Sequence, residues 1–243
     1  MTHYRKPRRT KIVATLGPAT DDPAVLEELL RAGVDVVRLN FSHGHADEQR
    51  ARARLVHELS VKIGRHVGIL ADLQGPKIRI AQFKNEKVLL AEGADFVINV
   101  NLSVSDGDAT QVGCIYKQLA DDVTTGNRLL LDDGRIVLEV NSVDAGKINC
   151  TVIVGGELSN NKGINLQGGG LSASALTDKD KQDIVTAAEI GVDFIAVSFP
   201  RNADDMNHAR ALVEAAGSHA FLVAKIERAE ALDVLEEIID ASD

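Results

Sequence analysis

Tryptophan is absent from the 243 residues, and the aromatic content is only two Tyr and six Phe. That argues against an aromatic-filled sandwich and leaves the aliphatic residues to make the core. Cysteine is almost absent as well: Cys114 and Cys150 are too few for a disulfide framework, and no Cys/His cluster with metal-ligand spacing occurs, so a reducing compartment, the cytoplasm, is expected. Positive charge is scarce. The formal net charge of −9 excludes nucleic acid as the main partner, which would need a dense cationic surface, and Arg5-Lys6-Pro7-Arg8-Arg9 reads as a solvated local arm. Long apolar runs are missing too: Ile12–Leu16 is cut by Gly17-Pro18 and followed by Asp21-Asp22, so no signal peptide can be drawn and no membrane span is expected. What remains is 44% hydrophobic residues dominated by Val, Ile, Leu and Ala, enough for a large core of buried parallel strands under helices.

Periodicity divides the chain into three stretches. Residues 1–75 alternate apolar runs with amphipathic segments, strand Lys11–Leu16, helix Pro23–Ala32, strand Val34–Phe41, helix Asp47–Ile63 and strand His66–Leu73, a βαβαβ pattern. Residues 76–169 turn to short β-prone runs, Lys87–Leu90, Phe96–Val100, Arg128–Leu131, Ile136–Val140 and Ile148–Val154, punctuated by Ser105-Asp106-Gly107-Asp108, Asp133-Gly134 and Asp144-Ala145-Gly146. That predicts a small all-β domain inserted into the α/β one. Residues 170–243 resume the earlier rhythm with helix Thr177–Glu189, strand Phe194–Phe199, helix Ala203–Ala216, strand Phe221–Ile226 and helix Ala229–Ala241. The two α/β stretches echo each other, Ala32-Gly33-Val34-Asp35 against Ile190-Gly191-Val192-Asp193. Such a repeat fits successive units of a (β/α) barrel or of a doubly wound sheet, and pattern alone leaves both open.

Alternation along a strand puts residues two apart on one face. Arg38, Asn40 and Ser42 therefore share a face at the end of the second strand, Asp72 and Gln74 at the end of the third, and Lys225 and Glu227 at the end of the fifth. All three sets lie at C-terminal strand ends, where barrel enzymes build their active sites. Lys225-x-Glu227 is a cation beside a carboxylate, equally suited to a structural ion pair or to binding phosphate and metal.

Six segments carry a more specific signal: Thr10–Thr20 (TKIVATLGPAT), Val37–Gly44 (VRLNFSHG), Asp72–Arg79 (DLQGPKIR), Leu131–Gly134 (LDDG), Asn161–Asn165 (NKGIN) and Ala224–Glu227 (AKIE). Together, and in this order across nearly the whole chain, they resemble the motifs of pyruvate kinases. The resemblance implies a TIM (β/α)8-type barrel with a small β domain inserted after its third strand, and transfer of a phosphoryl group from phosphoenolpyruvate to ADP, giving pyruvate and ATP in glycolysis. Such transfer rests on positioning and on neutralising charge at the phosphoryl oxygens, so cations should converge on one point.

By the same resemblance, Lys225 contacts the transferring phosphoryl group and stabilises the enolate, Arg38 binds the substrate phosphate, and Ser198 and Phe199 lie beside the substrate. Glu227 holds a divalent cation, Mg2+ or Mn2+. Arg79, His43 and Lys162 serve the nucleotide, Lys162 from an inserted domain that closes as a lid in the family, with Gly75-Pro76 and Gly168-Gly169-Gly170 as candidate hinges. Asn40, Ser42, Asp72 and the Leu73 carbonyl match the family's monovalent-cation (K+) site. Lys77 stands where potassium-requiring members carry Glu, which resembles the potassium-independent type: an ammonium there supplies the charge the ion would bring.

The family continues beyond the point matching Asp243, with a second metal-binding acid, the remaining barrel strands and an allosteric domain. The expectation is thus a barrel truncated after about five βα units, with an open sheet edge and an incomplete site, and a homo-oligomer, commonly a tetramer, at full length. Two other readings stand beside it: a non-catalytic fragment, and another barrel enzyme binding phosphoenolpyruvate or pyruvate, which leaves the segment Gly75–Arg79 and the β insertion unexplained.

Overall fold

The structure, a computed structural model, describes residues 9–76 and 78–243. The chain falls into two compact units. The first comprises the residues up to Gly75, then Ala175–Glu227 and Val234–Asp243; the second comprises Pro76–Ser174 and Arg228–Asp233.

In chain order the first unit begins with β1 (Val13–Thr15), α1 (Pro23–Ala32), β2 (Val36–Asn40), α2 (Ala46–Ile63) and β3 (Gly68–Asp72). Asp22 caps α1 by accepting from the Ala24 amide at 2.7 Å, with Pro23 in the first turn, where its missing N–H costs nothing. The second unit follows, with β4 (Lys87–Leu90), β5 (Asp95–Asn99), β6 (Gln111–Gly113), the single turn α3 (Leu119–Asp122), β7 (Arg128–Leu131), β8 (Ile136–Asp144), β9 (Lys147–Val154), β10 (Gly156–Ser159) and β11 (Ile164–Leu166). The chain then returns to the first unit through α4 (Asp178–Ile190), β12 (Phe194–Ser198), α5 (Ala203–Ala215), β13 (Phe221–Lys225) and α6 (Leu235–Asp240).

The first unit is a curled, all-parallel sheet in the order β1-β2-β3-β12-β13. Val37, Leu39, Ile69, Ala71, Ile195, Val197 and Leu222 are all buried, as expected of the strand face that packs under helices. β1 and β13 are the edges, and Val13, Phe221 and Val223 are exposed. The Gly-Val-Asp echo has a physical cause. The Asp35 amide donates to Ile12 O at 2.9 Å while its Oδ2 accepts from the Ile12 amide at 2.8 Å. Asp193 does the same with Ile69, at 2.9 and 2.7 Å, and Asp243 with Leu222, at 3.0 and 2.8 Å. Each aspartate closes a two-bond ring with a residue at or beside a strand of the sheet and anchors its own segment to that strand. The Leu222 amide holds the Asp243 carboxyl below its usual range, because the bond favours the charged form.

The second unit has a six-stranded sheet, β11-β7-β8-β9-β5-β6, antiparallel except for β5-β6, and a two-stranded ribbon, β10-β4. Phe96, Ile98, Leu129, Leu131, Ile136, Leu138 and Ile148 fill its core. β8 and β9 are joined by Ala145-Gly146, both at positive φ (47° and 78°), as a two-residue turn matched to strand twist requires. Cys114 and Cys150 are free thiols buried here.

Two sequence readings need correction. β6, β10, β11 and α3 were not legible; the three strands are set by pairing with β5, β4 and β7, and α3 is a single turn. The helix expected over Ala229–Ala241 is broken into a 3-10 turn, Ala229–Leu232, and the short α6. The cause lies with Arg228, whose Nη1 and Nη2 donate to the carbonyls of Leu171 (3.1 Å) and Ala173 (3.0 Å), so that Arg228–Asp233 belongs with the second unit. The same pair of bonds ties down the segment after Gly168-Gly169-Gly170, and the units divide at Ser174/Ala175 where the sequence pattern changes at residues 169/170.

Candidate active site

Parallel pairing sets the ends of β2, β3, β12 and β13 side by side, with Asn40 opposite Asp72, Ala196 opposite Asp72, and Ser198 opposite Lys225. The charged residues that alternation assigned to these ends meet there. Arg38 clasps Asp72 through Nε, 2.7 Å from Oδ2, and through Nη2, while its Nη1 donates to Thr15 Oγ1 at 3.0 Å. Lys225 Nζ stands 3.1 Å from Asp72 Oδ1, 3.3 Å from Glu227 Oε1, and 2.8 Å from Ser198 Oγ, to which it donates. The Asp72 Oδ1 contact is an ion pair without hydrogen-bond alignment.

The result is two cations and two carboxylates of unequal access. Asp72 is almost wholly buried, with a side chain 3% exposed, whereas Arg38, Lys225 and Glu227 are 30%, 30% and 34% exposed. A buried anion thus holds two cations whose free faces point to solvent, leaving them oriented and available to an incoming anion.

Several residues outside the sequence reading shape this cluster. Thr15 orients Arg38. Ser198, itself a sequence candidate, is buried, and its hydroxyl accepts from Lys225 and donates to Leu73 O at 2.7 Å, which commits it to holding the lysine. Phe199 follows at φ 57°, a left-handed conformation rare outside glycine. Gly75, at φ 66°, lies against it: a Cβ there would come within 2.9 Å of Ser198 Cβ and 3.0 Å of Phe199 Cδ2. The Gly75 amide donates to Asp180 Oδ1 at 3.0 Å, and Oδ2 of the same carboxylate closes the capping box of α4 with Thr177. The Asp180 cap was readable from Thr177-x-x-Asp180; its second task was not.

The loop after β2 carries Asn40, Ser42 and His43. Asn40 Oδ1 accepts from the Ser42 amide at 3.0 Å. Buried Gln49 donates to the carbonyls of Asn40 (3.2 Å) and His43 (2.9 Å), and Lys179 donates to Phe41 O at 2.8 Å. The His43 side chain is exposed. Of the residues expected at a monovalent-cation site, Asn40, Ser42, Asp72 and Leu73 are neighbours through this loop and the β2-β3 pairing, but Asn40 Oδ1, Asp72 Oδ2 and Leu73 O are each engaged by a protein donor. Lys77 lies outside the described residues.

For a divalent cation the donor set is a single accessible carboxylate, Glu227, and no group of three or more His, Cys, Asp or Glu side chains that could hold a metal occurs among the described residues. This fits Mg2+, which keeps most of its octahedral shell from water and substrate phosphates and takes one or two protein carboxylates.

The second unit holds the other two sequence candidates. Arg79 pairs with Gly163 in an isolated antiparallel bridge, and its Nη1 donates to Asn161 O at 3.0 Å; Lys162 Nζ is 2.8 Å from Asp132 Oδ1. Arg79 and Lys162 therefore lie on adjoining segments of that unit.

Comparison with known proteins matches residues 7–243 to the family described as pyruvate kinase, barrel domain. The chain is 56% identical over 242 residues to pyruvate kinase II of Salmonella typhimurium, covering 98% of this chain and 50% of that protein. It is 53% identical to a Haemophilus influenzae pyruvate kinase, covering 98% of this chain and 51% of that protein. Over 236 residues it is 42% identical to a pyruvate kinase of Mycobacterium intracellulare, covering 97% and 50%. The chain spans about half the length of these relatives. With its parallel α/β unit and the basic and acidic side chains gathered at the strand ends, this chain belongs to the pyruvate kinase family.

Proposed function

We propose that the protein carrying this chain transfers the phosphoryl group of phosphoenolpyruvate to ADP, giving pyruvate and ATP as a step of glycolysis. The observation that carries the reading is the cluster Arg38-Asp72-Lys225-Glu227, with Lys225 seated on Ser198. In this reading the parallel unit is the first part of a (β/α)8 barrel, the antiparallel unit is the domain inserted after its third strand, and the protein works in the cytoplasm as a homo-oligomer.

The geometry supports the following chemistry. A β-phosphate oxygen of ADP attacks phosphorus, the P–O bond to the enol breaks, and the electron pair leaves as an enolate that takes up a proton to become pyruvate. Negative charge therefore moves from the phosphoryl oxygens toward the enolate. Arg38, held in one orientation by Asp72 and Thr15, presents its remaining N–H groups to the substrate phosphate. Lys225, fixed by Ser198 and Asp72, offers an ammonium to the charge developing between phosphorus and enolate, an arrangement that costs no reorganisation at the moment of reaction. Glu227, and with it the substrate's own oxygens, would hold Mg2+ or Mn2+, which supplies further neutralisation of the phosphoryl oxygens. Substrate phosphate takes over part of the role that Glu227 plays toward Lys225 in the free protein.

The test is pyruvate release from phosphoenolpyruvate and ADP by the natural-length protein, wild type against Lys225→Met. A loss of about 10²–10³ in kcat with a smaller change in KM is expected from removing one preorganised charge at the reacting atoms. A variant that keeps more than one tenth of wild-type turnover would overturn the assignment.

A further inference from the structure

The Leu131-Asp132-Asp133-Gly134 motif leaves β7 with a run of three residues at positive φ. Asp132 and Asp133 both adopt left-handed conformations, φ 49° and 57°, and Gly134 follows at 83°. Two non-glycine residues in succession at positive φ are strained, although Asp tolerates that region better than most residues. The turn aims Asp132 at a particular neighbour. Its amide donates to Gly163 O at 3.2 Å, continuing the β7-β11 pairing past Leu131 and Ile164. Its Oδ1 lies 2.8 Å from Lys162 Nζ, and Oδ2 lies 3.8 Å from Arg135 Nη1.

The partners differ in access. The Asp132 side chain is 14% exposed and that of Lys162 is 36% exposed, so the carboxylate is the buried member and the ammonium keeps a face to solvent. Arg79 lies on the neighbouring backbone segment. It bridges Gly163, the Ile80 amide donates to Lys162 O at 2.9 Å, and its guanidinium spends one Nη1 bond on Asn161 O, with no carboxylate of the described residues among its hydrogen-bond or ion-pair partners. Arg79 and Lys162 thus lie on adjoining segments, and of the two only Lys162 has a carboxylate partner among the described residues.

We propose that Asp132 is an internal counter-ion: it holds the Lys162 ammonium in place and competes with the phosphate groups of a nucleoside diphosphate or triphosphate for it. This inference rests on the reading of Lys162 as a nucleotide-phosphate residue. An anion arriving at Lys162 must displace the carboxylate or share the ammonium with it, so Asp132 lowers phosphate affinity while keeping the lysine from wandering. The strained turn is the means by which the carboxylate reaches it.

The experiment measures binding of inorganic tripolyphosphate and of ADP, each without divalent cation, by calorimetry at low ionic strength. It compares wild type, Asp132→Asn, Asp133→Asn and Lys162→Ala. Asparagine tolerates left-handed backbone, so Asp132→Asn keeps the turn. Asp133→Asn removes the same unit of charge from an exposed neighbour with no ion pair to Lys162. Asp132→Asn is expected to tighten both probes about two- to five-fold, the range an accessible ion pair supports, with Asp133→Asn changing them less and Lys162→Ala weakening them. Binding that depends on Lys162 but is unchanged or weakened in Asp132→Asn overturns the counter-ion. Binding unaffected by Lys162→Ala, or absent from wild type and Asp132→Asn alike, overturns the nucleotide reading of Lys162 and the inference with it. Equal tightening in both Asp variants assigns the effect to general charge and also overturns it.

Discussion

Each unit pairs exposed cations with a less exposed carboxylate of the chain, in opposite settings. In the parallel unit the anchoring carboxylate, Asp72, is buried, and the cations are held at several points each: Arg38 by Asp72 and Thr15, Lys225 by Asp72, Glu227 and Ser198. In the antiparallel unit the core is closed by its own strands, and Lys162 and Arg79 sit on turns and bridges at the surface of that core. Burial decides how much each arrangement is worth. A charge network in a low-dielectric setting is sensitive to the loss of any member, whereas an accessible pair contributes on the order of 1 kcal/mol or less. Disruption should therefore be costly in the first unit and mild in the second.

The sharpest test of that difference is Asp180→Ala. This residue is fully buried, and its carboxylate accepts from the Gly75 amide, the Thr177 amide and the Thr177 hydroxyl. Its removal loses the capping box and leaves the Gly75 amide without a partner, which together should cost about 3 kcal/mol. Amide hydrogen exchange of the natural-length protein should show the loss in β3 and α4, with the β8-β9 hairpin unaffected. Equal loss in both units would mean that they do not unfold separately, and the comparison would fail.

The fold was legible where period was long and failed where elements were short. α1, α2, α4 and α5 announced themselves by helical period, with Gly33, Gly64 and Gly191 as stop signals and Thr177 as a start signal. β10 and β11 carry too few residues for any period to show, and exist because β4 and β7 lie alongside them. At the site, strand alternation placed Arg38, Asp72, Lys225 and Glu227 at the strand ends, since a period of two is geometry. It missed Thr15, Gln49 and Lys179, because their tasks are single hydrogen bonds to groups distant in sequence: Gln49 looks like any polar helix residue until its amide is seen reaching the carbonyls of Asn40 and His43. The break at Arg228 was hidden for the same reason, since its partners lie more than 50 residues away.

The closed core of the second unit can be probed through its thiols. Burial pushes Cys114 up to about 11 and Cys150 up to about 12, from an ordinary value of 9.0, because a thiolate there would lose its hydration. At pH 8 the thiolate fraction of Cys114 is lower by about 10², so a disulfide reagent should react at least ~10² more slowly than with the unfolded chain. The sign of the stability effect follows. Both thiols bind their proton more tightly in the folded state, so their contribution is complete below pH 9 and is lost as pH rises through about 11 and about 12. The urea midpoint should therefore fall between pH 8 and 10.5, and the double variant Cys114→Ala, Cys150→Ala should fall less. Equal losses would show that the thiols do not report on this core.

The smallest effect expected is that of potassium, and it concerns the first unit alone. Asp72 is the one anionic member of the set matched to a monovalent-cation site. Arg38 and Lys225 already flank it, which weakens its pull on a further cation. The other oxygens of that set, Asn40 Oδ1 and Leu73 O, accept from the Ser42 amide and the Ser198 hydroxyl, so they offer a second lone pair at most. Turnover of phosphoenolpyruvate and ADP by the natural-length protein should therefore change less than about two-fold, under ~0.4 kcal/mol in the barrier, when 100 mM potassium chloride replaces an equal concentration of tetramethylammonium chloride. A strict need for potassium in the wild type would mean that Asp72, despite its two partners, still recruits the ion.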